Sequence, residues 1–244
     1  MYLSLAVLLC VSCTIYMVNG QAASNKAFCK SSTSADTCLM HLLLIGDPKY
    51  VFPENMDSMN KQCSGVKSYE KCIKDYASKC LPSFPKQVTS VMAYGVAKTN
   101  KGYCSNKRRK EAFISIGKCG NKVKSKVDVC MRQYIDNLQG SENHPDVKER
   151  IPLACCNYYR LKGCIMNHVE TQGQPLCSES VATEIENIVD GYANEVLNLL
   201  CGDYTEESDK CVKLLPKTPK KLPAQKPPKS LLLPLINIIA SVPQ

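Results

Sequence analysis

Three observations predict an all-α fold, a disulfide-stapled helical bundle in a single domain with a disordered Pro/Lys-rich C-terminal tail. Apolar residues recur at steps of three and four through most of the chain, which is the helical period. No segment sustains the alternation of a strand, and no Asn-Gly or Asp-Gly turn lies between alternating runs. The high cysteine count predicts that the helices are cross-linked.

Residues 1–20 predict a secretory signal peptide. The stretch is apolar, has no charged side chain and ends on small residues, so cleavage is expected between Gly20 and Gln21. The alternative is an uncleaved signal-anchor helix, for which the apolar run is short. The expected organisation is a signal peptide (1–20), an N-terminal extension (21–34), a cysteine-rich helical domain (35–211) and a Pro/Lys-rich linker with a short apolar tail (212–244).

Of the sixteen cysteines, Cys10 and Cys13 lie in the predicted signal peptide, so an even number, fourteen, remains in the mature chain. An even, high count behind a signal peptide indicates disulfides formed in an oxidising compartment. A metal site would require CxxC pairs or His/Cys clusters, and the mature chain has no CxxC pair. The cysteines expected in structural disulfides are Cys29, Cys38, Cys63, Cys72, Cys80, Cys104, Cys119, Cys130, Cys155, Cys156, Cys164, Cys177, Cys201 and Cys211.

The first four helices follow from apolar periodicity and its breaks. Residues 35–45 are predicted to form a short helix that ends before Gly-Asp-Pro. Residues 53–80 form a helical region that begins with a proline, and division into two helices at Gly65 is left open. Residues 86–97 follow a Pro-rich break, and residues 105–116 follow a turn containing glycine.

A run of four cations, Lys107-Arg108-Arg109-Lys110, begins the fourth helix, with Asn106 as its expected cap. It is open to interpretation as a convertase cleavage site or a heparin site. We favour the simpler interpretation of a solvated first turn.

Three further helices are predicted at residues 122–138, 146–172 and 178–202. The last has the clearest amphipathic pattern, closed by Cys201-Gly202. Its predicted apolar face comprises Val181, Ile185, Ile188, Val189, Tyr192, Val196 and Leu199.

The composition changes after Cys211. Residues 214–229 are rich in proline and lysine and predict an extended, solvated linker. Residues 231–242 are apolar, and a GPI-attachment tail, an interfacial segment and a disordered end all remain open. Six lysines of this tail supply much of the net charge of +9, so the body carries about +3 and does not indicate nucleic-acid binding.

The stretch Cys155-Cys156-Asn157-Tyr158-Tyr159-Arg160-Leu161-Lys162-Gly163-Cys164 lies within one predicted helix. Cysteines eight residues apart on a helix are separated by about 12 Å, which is beyond disulfide reach. Adjacent cysteines point in different directions, so the three cysteines of this stretch should bind three different partners. A local pair between Cys201 and Cys211 is also conceivable, and spacing alone leaves the connectivity open.

We find no catalytic signature in the sequence. The double cysteine is superficially similar to the CCxxHxxC helix of secreted phospholipases A2, but no histidine follows it and the glycine-rich calcium loop is missing. GxSxG, HExxH, EF-hand and P-loop motifs are absent as well. His41, His144 and His168 are isolated in sequence and are interpreted as ordinary surface or helix residues.

The stretch at Cys155–Cys164, the run 63–80 with Cys63, Cys72 and Cys80, and Leu199-Leu200-Cys201-Gly202-Asp203-Tyr204 followed by Cys211 resemble a family of secreted, cysteine-rich helical proteins of arthropods. That family is similar to insect hemolymph glycoproteins and, more distantly, to nematode secreted domains of unknown function. The resemblance covers about residues 35–211 and implies a fold but no catalytic residues. The chain has no Asn-x-Ser/Thr sequon, which departs from the glycoprotein pattern.

These observations predict a secreted, extracellular, non-enzymatic protein without cofactor or metal, a binding or carrier module of a body fluid. The partner is left open between a small apolar ligand and an extracellular protein, and nucleic acid is not expected. Residues 56–76 and 181–199 would line a space for such a ligand, but we favour the interpretation that they simply fill the core. Membrane contact is expected only through the C-terminal tail. The alternatives are a surface-tethered, GPI-type interaction protein and a secreted hydrolase with an unrecognised site.

Overall fold

The computed structural model describes residues 28–29, 32–206 and 208–243, so the predicted signal peptide and its cleavage point lie outside the described residues. Within those ranges the chain forms helices and no strand, which confirms the all-α prediction. The α-helices are α1 (Ser32–Leu43), α2 (Met56–Cys80), α3 (Ser83–Cys104), α4 (Lys107–Ser115), α5 (Gly117–Glu142), α6 (Val147–Gln172), α7 (Glu179–Leu200), α8 (Asp209–Leu214) and α9 (Leu232–Ala240).

Side-chain caps begin several of these helices. Asn55 accepts from the backbone N–H of Ser58 at the start of α2, and the predicted cap Asn106 accepts from that of Arg109 at the start of α4. Each cap satisfies a donor that has no partner inside its helix. Helix α2 runs unbroken through Gly65, so the proposed division there is wrong.

Helices α5 and α6 form the central antiparallel pair. Two cross-links show the direction, because the one later on α5 is made to a residue earlier on α6. Cys130 pairs with Cys164, and seven residues later Asn137 donates to Asn157, which lies seven residues before Cys164. Helices α2 and α3 form a second pair, with α1 on its outside. Helix α7 packs mainly on α3 and also contacts α6.

All fourteen cysteines of the predicted mature chain are paired. In agreement with the sequence argument, Cys155, Cys156 and Cys164 bind three different partners. The local pair between Cys201 and Cys211 does not form, since each of these sulfurs is bonded to a cysteine of α6. The bonds are Cys29–Cys80, Cys38–Cys72, Cys63–Cys104, Cys119–Cys177, Cys130–Cys164, Cys155–Cys201 and Cys156–Cys211.

The C-terminal segment, residues 212–243, differs from the prediction of a solvated linker and a disordered end. Its linker lies along α5 and α6, where Lys221 binds Asp136 at 2.6 Å and Gln139 donates to the Lys226 carbonyl at 3.1 Å. Helix α9 then inserts its apolar side chains into the core that α1, α3, α5 and α6 share. Leu232 and Ile238 are fully buried, so this segment belongs to the domain that was expected to end at residue 211.

Asp36 fixes the approach to α9. This buried carboxylate of α1 accepts from the backbone N–H groups of Lys229 and Ser230 and from the Ser230 hydroxyl. Burial raises the pKa of Asp36, and these hydrogen bonds oppose the rise. The contact joins residues 194 positions apart and closes the chain onto its first described helix.

Candidate functional site

A cavity of about 130 Å³ lies inside the bundle between α3, α5, α6 and α7. The end of α1, Phe52 in the connector before α2, and Leu235 of α9 also contribute to its lining. None of its lining residues carries a charge, and its few polar side-chain atoms are tyrosine hydroxyls. A largely apolar space of this kind suits a small apolar ligand.

The amphipathic face of α7 forms one wall of the cavity. Its lining residues recur at alternating steps of three and one, so a single stripe faces inward: Ile185, Ile188, Val189, Tyr192, Ala193, Val196, Leu197 and Leu200. Ile188 is the one fully buried residue of α7, and its neighbours on the stripe are partly buried, packing against the core and lining the cavity. Leu199, assigned to this face from the sequence, instead points outward and is 41 % exposed.

Helix α7 is held closely against α3. A Cβ at Gly191 would lie 2.7 Å from the Thr99 hydroxyl oxygen, and that hydroxyl donates to the Gly191 carbonyl at 2.8 Å. The disulfides of Cys177 and Cys201 flank the two ends of α7 and tie them to α5 and α6. The wall that α7 provides is therefore tethered at both ends and in close contact with α3 along its middle.

Lys162 of α6 adds an ionic link to α7. Its Nζ lies 3.0 Å from Glu186, 3.1 Å from Asp190 and 3.4 Å from Glu206, and its side chain is 12 % exposed. Burial acts to lower the pKa of Lys162, but the hydrogen bonds and charges of these carboxylates outweigh it and raise the pKa. Lys162 therefore stays charged and holds the outer edge of α7 on α6.

Three tyrosines bring hydroxyls to the cavity wall. Tyr192 donates to Asn100 at 2.8 Å, and Tyr158 donates to the Val189 carbonyl at 3.1 Å. Tyr134 has no hydrogen-bond partner among the described residues, although its side chain is only 7 % exposed. Burial raises the pKa of all three hydroxyls, which keeps the wall uncharged.

A second, polar space, here called the groove, follows the seam between α5 and α6 and has a volume of about 340 Å³. Tyr134 and Leu161 line both the groove and the cavity, so these two side chains form a shared wall. The other residues of the groove are Cys130, Gln133, Asn137, Asn157, Arg160 and Cys164.

The three histidines do not converge. His41 lies 3.7 Å from Asp47, and His144 lies 3.3 Å from Glu149. His168 lies near the sulfurs of Cys130 and Cys164, a grouping with the spacing of metal ligands. Those sulfurs are joined to each other, so neither is the thiolate that would bind a metal ion.

The basic run Lys107–Lys110 occupies the first turn of α4, and its first three side chains are exposed. This placement agrees with the interpretation of a solvated turn. Lys107 lies 3.8 Å from Glu111 one turn later, and Lys110 donates to Asn60 at 2.7 Å.

Two stretches were expected to line a space for a ligand. The stretch 181–199 does line the cavity, whereas no residue of 56–76 does. The α5 and α6 walls, including Tyr134, were missed. Their only signal was the apolar periodicity of residues 122–172, which is the same for a packed core as for a cavity.

Among the described residues, no helix combines the length and apolar character needed to cross a membrane. No protein-family model, curated protein or solved structure matches the chain. Its resemblance to the secreted cysteine-rich helical proteins of arthropods stays a prediction.

Proposed function

We propose that this protein is a secreted, non-enzymatic carrier of small apolar molecules. The observation that supports the proposal is the uncharged cavity of about 130 Å³ between α3, α5, α6 and α7. An engineered cavity of about 150 Å³ in another protein stays dry and binds benzene. The cavity is close to that size, which makes benzene a suitable probe for it.

The energetic argument is that such a space is unfavourable when empty. Protein interiors are normally close-packed, with few voids larger than a water molecule. Apolar area that stays in contact with water costs roughly 25 cal/mol per Å² relative to buried area. A bound apolar molecule that covers the lining would therefore stabilise the bundle.

The non-enzymatic part of the proposal is based on where the titratable groups lie. Apart from the tyrosines, no titratable side chain lines the cavity. Several of the buried charges, such as the Lys124–Asp128 pair, have structural partners: Lys124 also binds the Asp47 carbonyl, and Asp128 also accepts from the Gly46 N–H. Catalytic acids and bases instead converge in a cleft with a place for substrate.

Seven disulfides indicate an oxidising compartment, and we infer secretion from them together with the predicted signal peptide. The tethered alternative has less support, because the apolar segment that a GPI signal would remove contributes α9 to the core. The mass of the protein purified from medium tests both points. A mass from Gln21 to Gln244 is expected, and loss of the C-terminal segment would contradict it.

Benzene titration tests the carrier proposal directly, because benzene carries no head group. We expect a rise in melting temperature with benzene concentration and perturbation of methyl NMR signals of cavity residues. Organic extraction of protein purified from secreting cells should also release an apolar compound. Neither thermal shift nor spectral change up to the solubility of benzene would overturn the proposal.

Two variants on α5 provide the matched comparison. Val127 lines the cavity, whereas Val129 is 40 % exposed on the same helix. Val127→Phe should fill part of the space and weaken benzene binding, while Val129→Phe should leave binding unchanged. Equal affinity of both variants and the native protein would place the bound benzene elsewhere.

A further inference from the structure

The groove between α5 and α6 is bounded along its length by two cross-links. The Cys130–Cys164 disulfide closes one end, and the hydrogen bond from Asn137 to Asn157, 2.9 Å long, closes the other. Seven residues separate the cross-links on each helix, which corresponds to about 10 Å along the seam. The space between them admits a chemical group of the size of a carboxylate.

The floor of the groove is the wall of the cavity. Tyr134 on α5 and Leu161 on α6 line both spaces, so only side chains separate the polar groove from the apolar interior. Tyr134 is only 7 % exposed, and its hydroxyl has no hydrogen-bond partner among the described residues. That hydroxyl is therefore available to donate to a ligand.

The groove carries one charge and it is positive. Arg160 is exposed, lines the groove and has no ion pair among the described residues. The nearby acid Asp136 is paired with Lys221 at 2.6 Å and is not a lining residue. Arg160 and Gln133 thus offer unengaged N–H donors in a groove that Tyr134 also lines, a set suited to an anionic acceptor.

We propose that the groove is the head-group site of an amphipathic ligand, a medium-chain carboxylic acid bound as its anion. The hydrocarbon chain occupies the cavity, and the carboxylate lies at the Tyr134–Leu161 wall, where Arg160 and the Tyr134 hydroxyl donate to it. This inference rests on the proposed carrier function and adds the chemical class of the ligand. Arg160 is then a specificity-determining residue, since it distinguishes an acid from the neutral alcohol of equal length.

The experiment compares octanoate with octan-1-ol by titration calorimetry on the full disulfide-bonded protein at neutral pH. We expect octanoate to bind about tenfold more tightly than the alcohol, equivalent to about 1.4 kcal/mol. Arg160→Gln should remove this preference by weakening octanoate binding much more than octan-1-ol binding. Arg132→Gln, an exposed arginine of α5 outside the groove, should retain the preference.

The outcomes separate this inference from the carrier proposal. Equal affinities for acid and alcohol, or an acid preference that survives Arg160→Gln, would overturn the head-group site while benzene binding still supports the carrier. Failure of benzene, octan-1-ol and octanoate alike would overturn both. Arg160 is exposed, so its replacement is expected to leave the melting temperature unchanged, and a shifted melting temperature would show that it has a structural role instead.

Discussion

Helix α9 offers the sharpest test of the structure, because the sequence left an attachment tail, an interfacial segment or a disordered end open where the structure shows core. Ile238 is fully buried among residues of the main cluster. Truncation of a buried isoleucine to alanine typically costs about 2–5 kcal/mol, the sum of lost transfer energy and the cavity left behind. For Ile238→Ala we expect about 3 kcal/mol, equivalent to a fall in melting temperature of about 6–12 °C in a domain of this size.

The assay combines calorimetry with hydrogen exchange. Asn237→Ala is the matched control, since the adjacent Asn237 is exposed and makes only a 3.3 Å hydrogen bond to Glu142. In the native protein the α9 amides should exchange far more slowly than those of an unstructured peptide. Ile238→Ala should accelerate their exchange, and Asn237→Ala should change it little.

One further result is informative because no disulfide lies beyond Cys211. Helix α9 can therefore undock without unfolding the rest, so accelerated exchange confined to α9 with a small change in melting temperature also agrees with the structure. Unprotected α9 amides in the native protein, with identical behaviour of both variants, would refute the docking of the tail.

Three further predictions concern packing, pH and cross-linking. Gly191→Ala should destabilise the protein by about 1–3 kcal/mol, because the added Cβ would meet the Thr99 hydroxyl of α3. Gly163→Ala should stabilise it by about 0.5–1 kcal/mol, because a Cβ there meets nothing within 4 Å. Urea unfolding measures both changes. Burial raises the pKa of Glu142 from 4.5 to about 7, so its contribution to stability is full below pH 4.5 and is lost as pH rises through 7. Relative to Glu142→Gln, the native protein should therefore gain about 1–3 kcal/mol in unfolding free energy between pH 8 and pH 5. Replacing both Cys156 and Cys211 by alanine opens a loop with a sequence separation of 55 and should cost about 4 kcal/mol in the chain-entropy model, measured by urea unfolding.

Each of these has a contrary outcome. Equal effects at the two glycines would mean that α7 does not approach α3 as closely as the structure shows. A pH dependence that is unchanged when residue 142 is glutamine would assign the titration to another group. An unchanged unfolding free energy in the double cysteine variant would show that the bond does not constrain the unfolded chain.

The helices could be predicted from the sequence because their causes are local. The period of three and four, the cap at Asn106 and the breaks at Pro-rich and Gly-rich segments are all properties of neighbouring residues. The separation of Cys155, Cys156 and Cys164 among three partners also followed from helix geometry alone. The identity of those partners did not, because pairing depends on which helices meet.

The two errors with most consequence have the same origin. Residues 231–242 carry an apolar pattern that suits a membrane, an attachment signal or a core, and only the presence of a site between α1, α3, α5 and α6 decides among them. The Pro/Lys linker was expected to be solvated from its composition, yet partners such as Asp136 hold it along α5 and α6. Composition describes what a segment can bind but not what lies beside it.

The sequence by itself determined the helical class, the cross-linking of the helices by disulfides and an amphipathic face on the helix 179–200. The tertiary structure alone decided that this face lines a cavity, since a hydrophobic stripe has the same pattern against a fully packed core. It also decided that Tyr134 and Arg160, 26 positions apart, meet at one seam. The physical reason is that helical periodicity is set within a few residues, whereas voids and converging side chains depend on how distant helices pack.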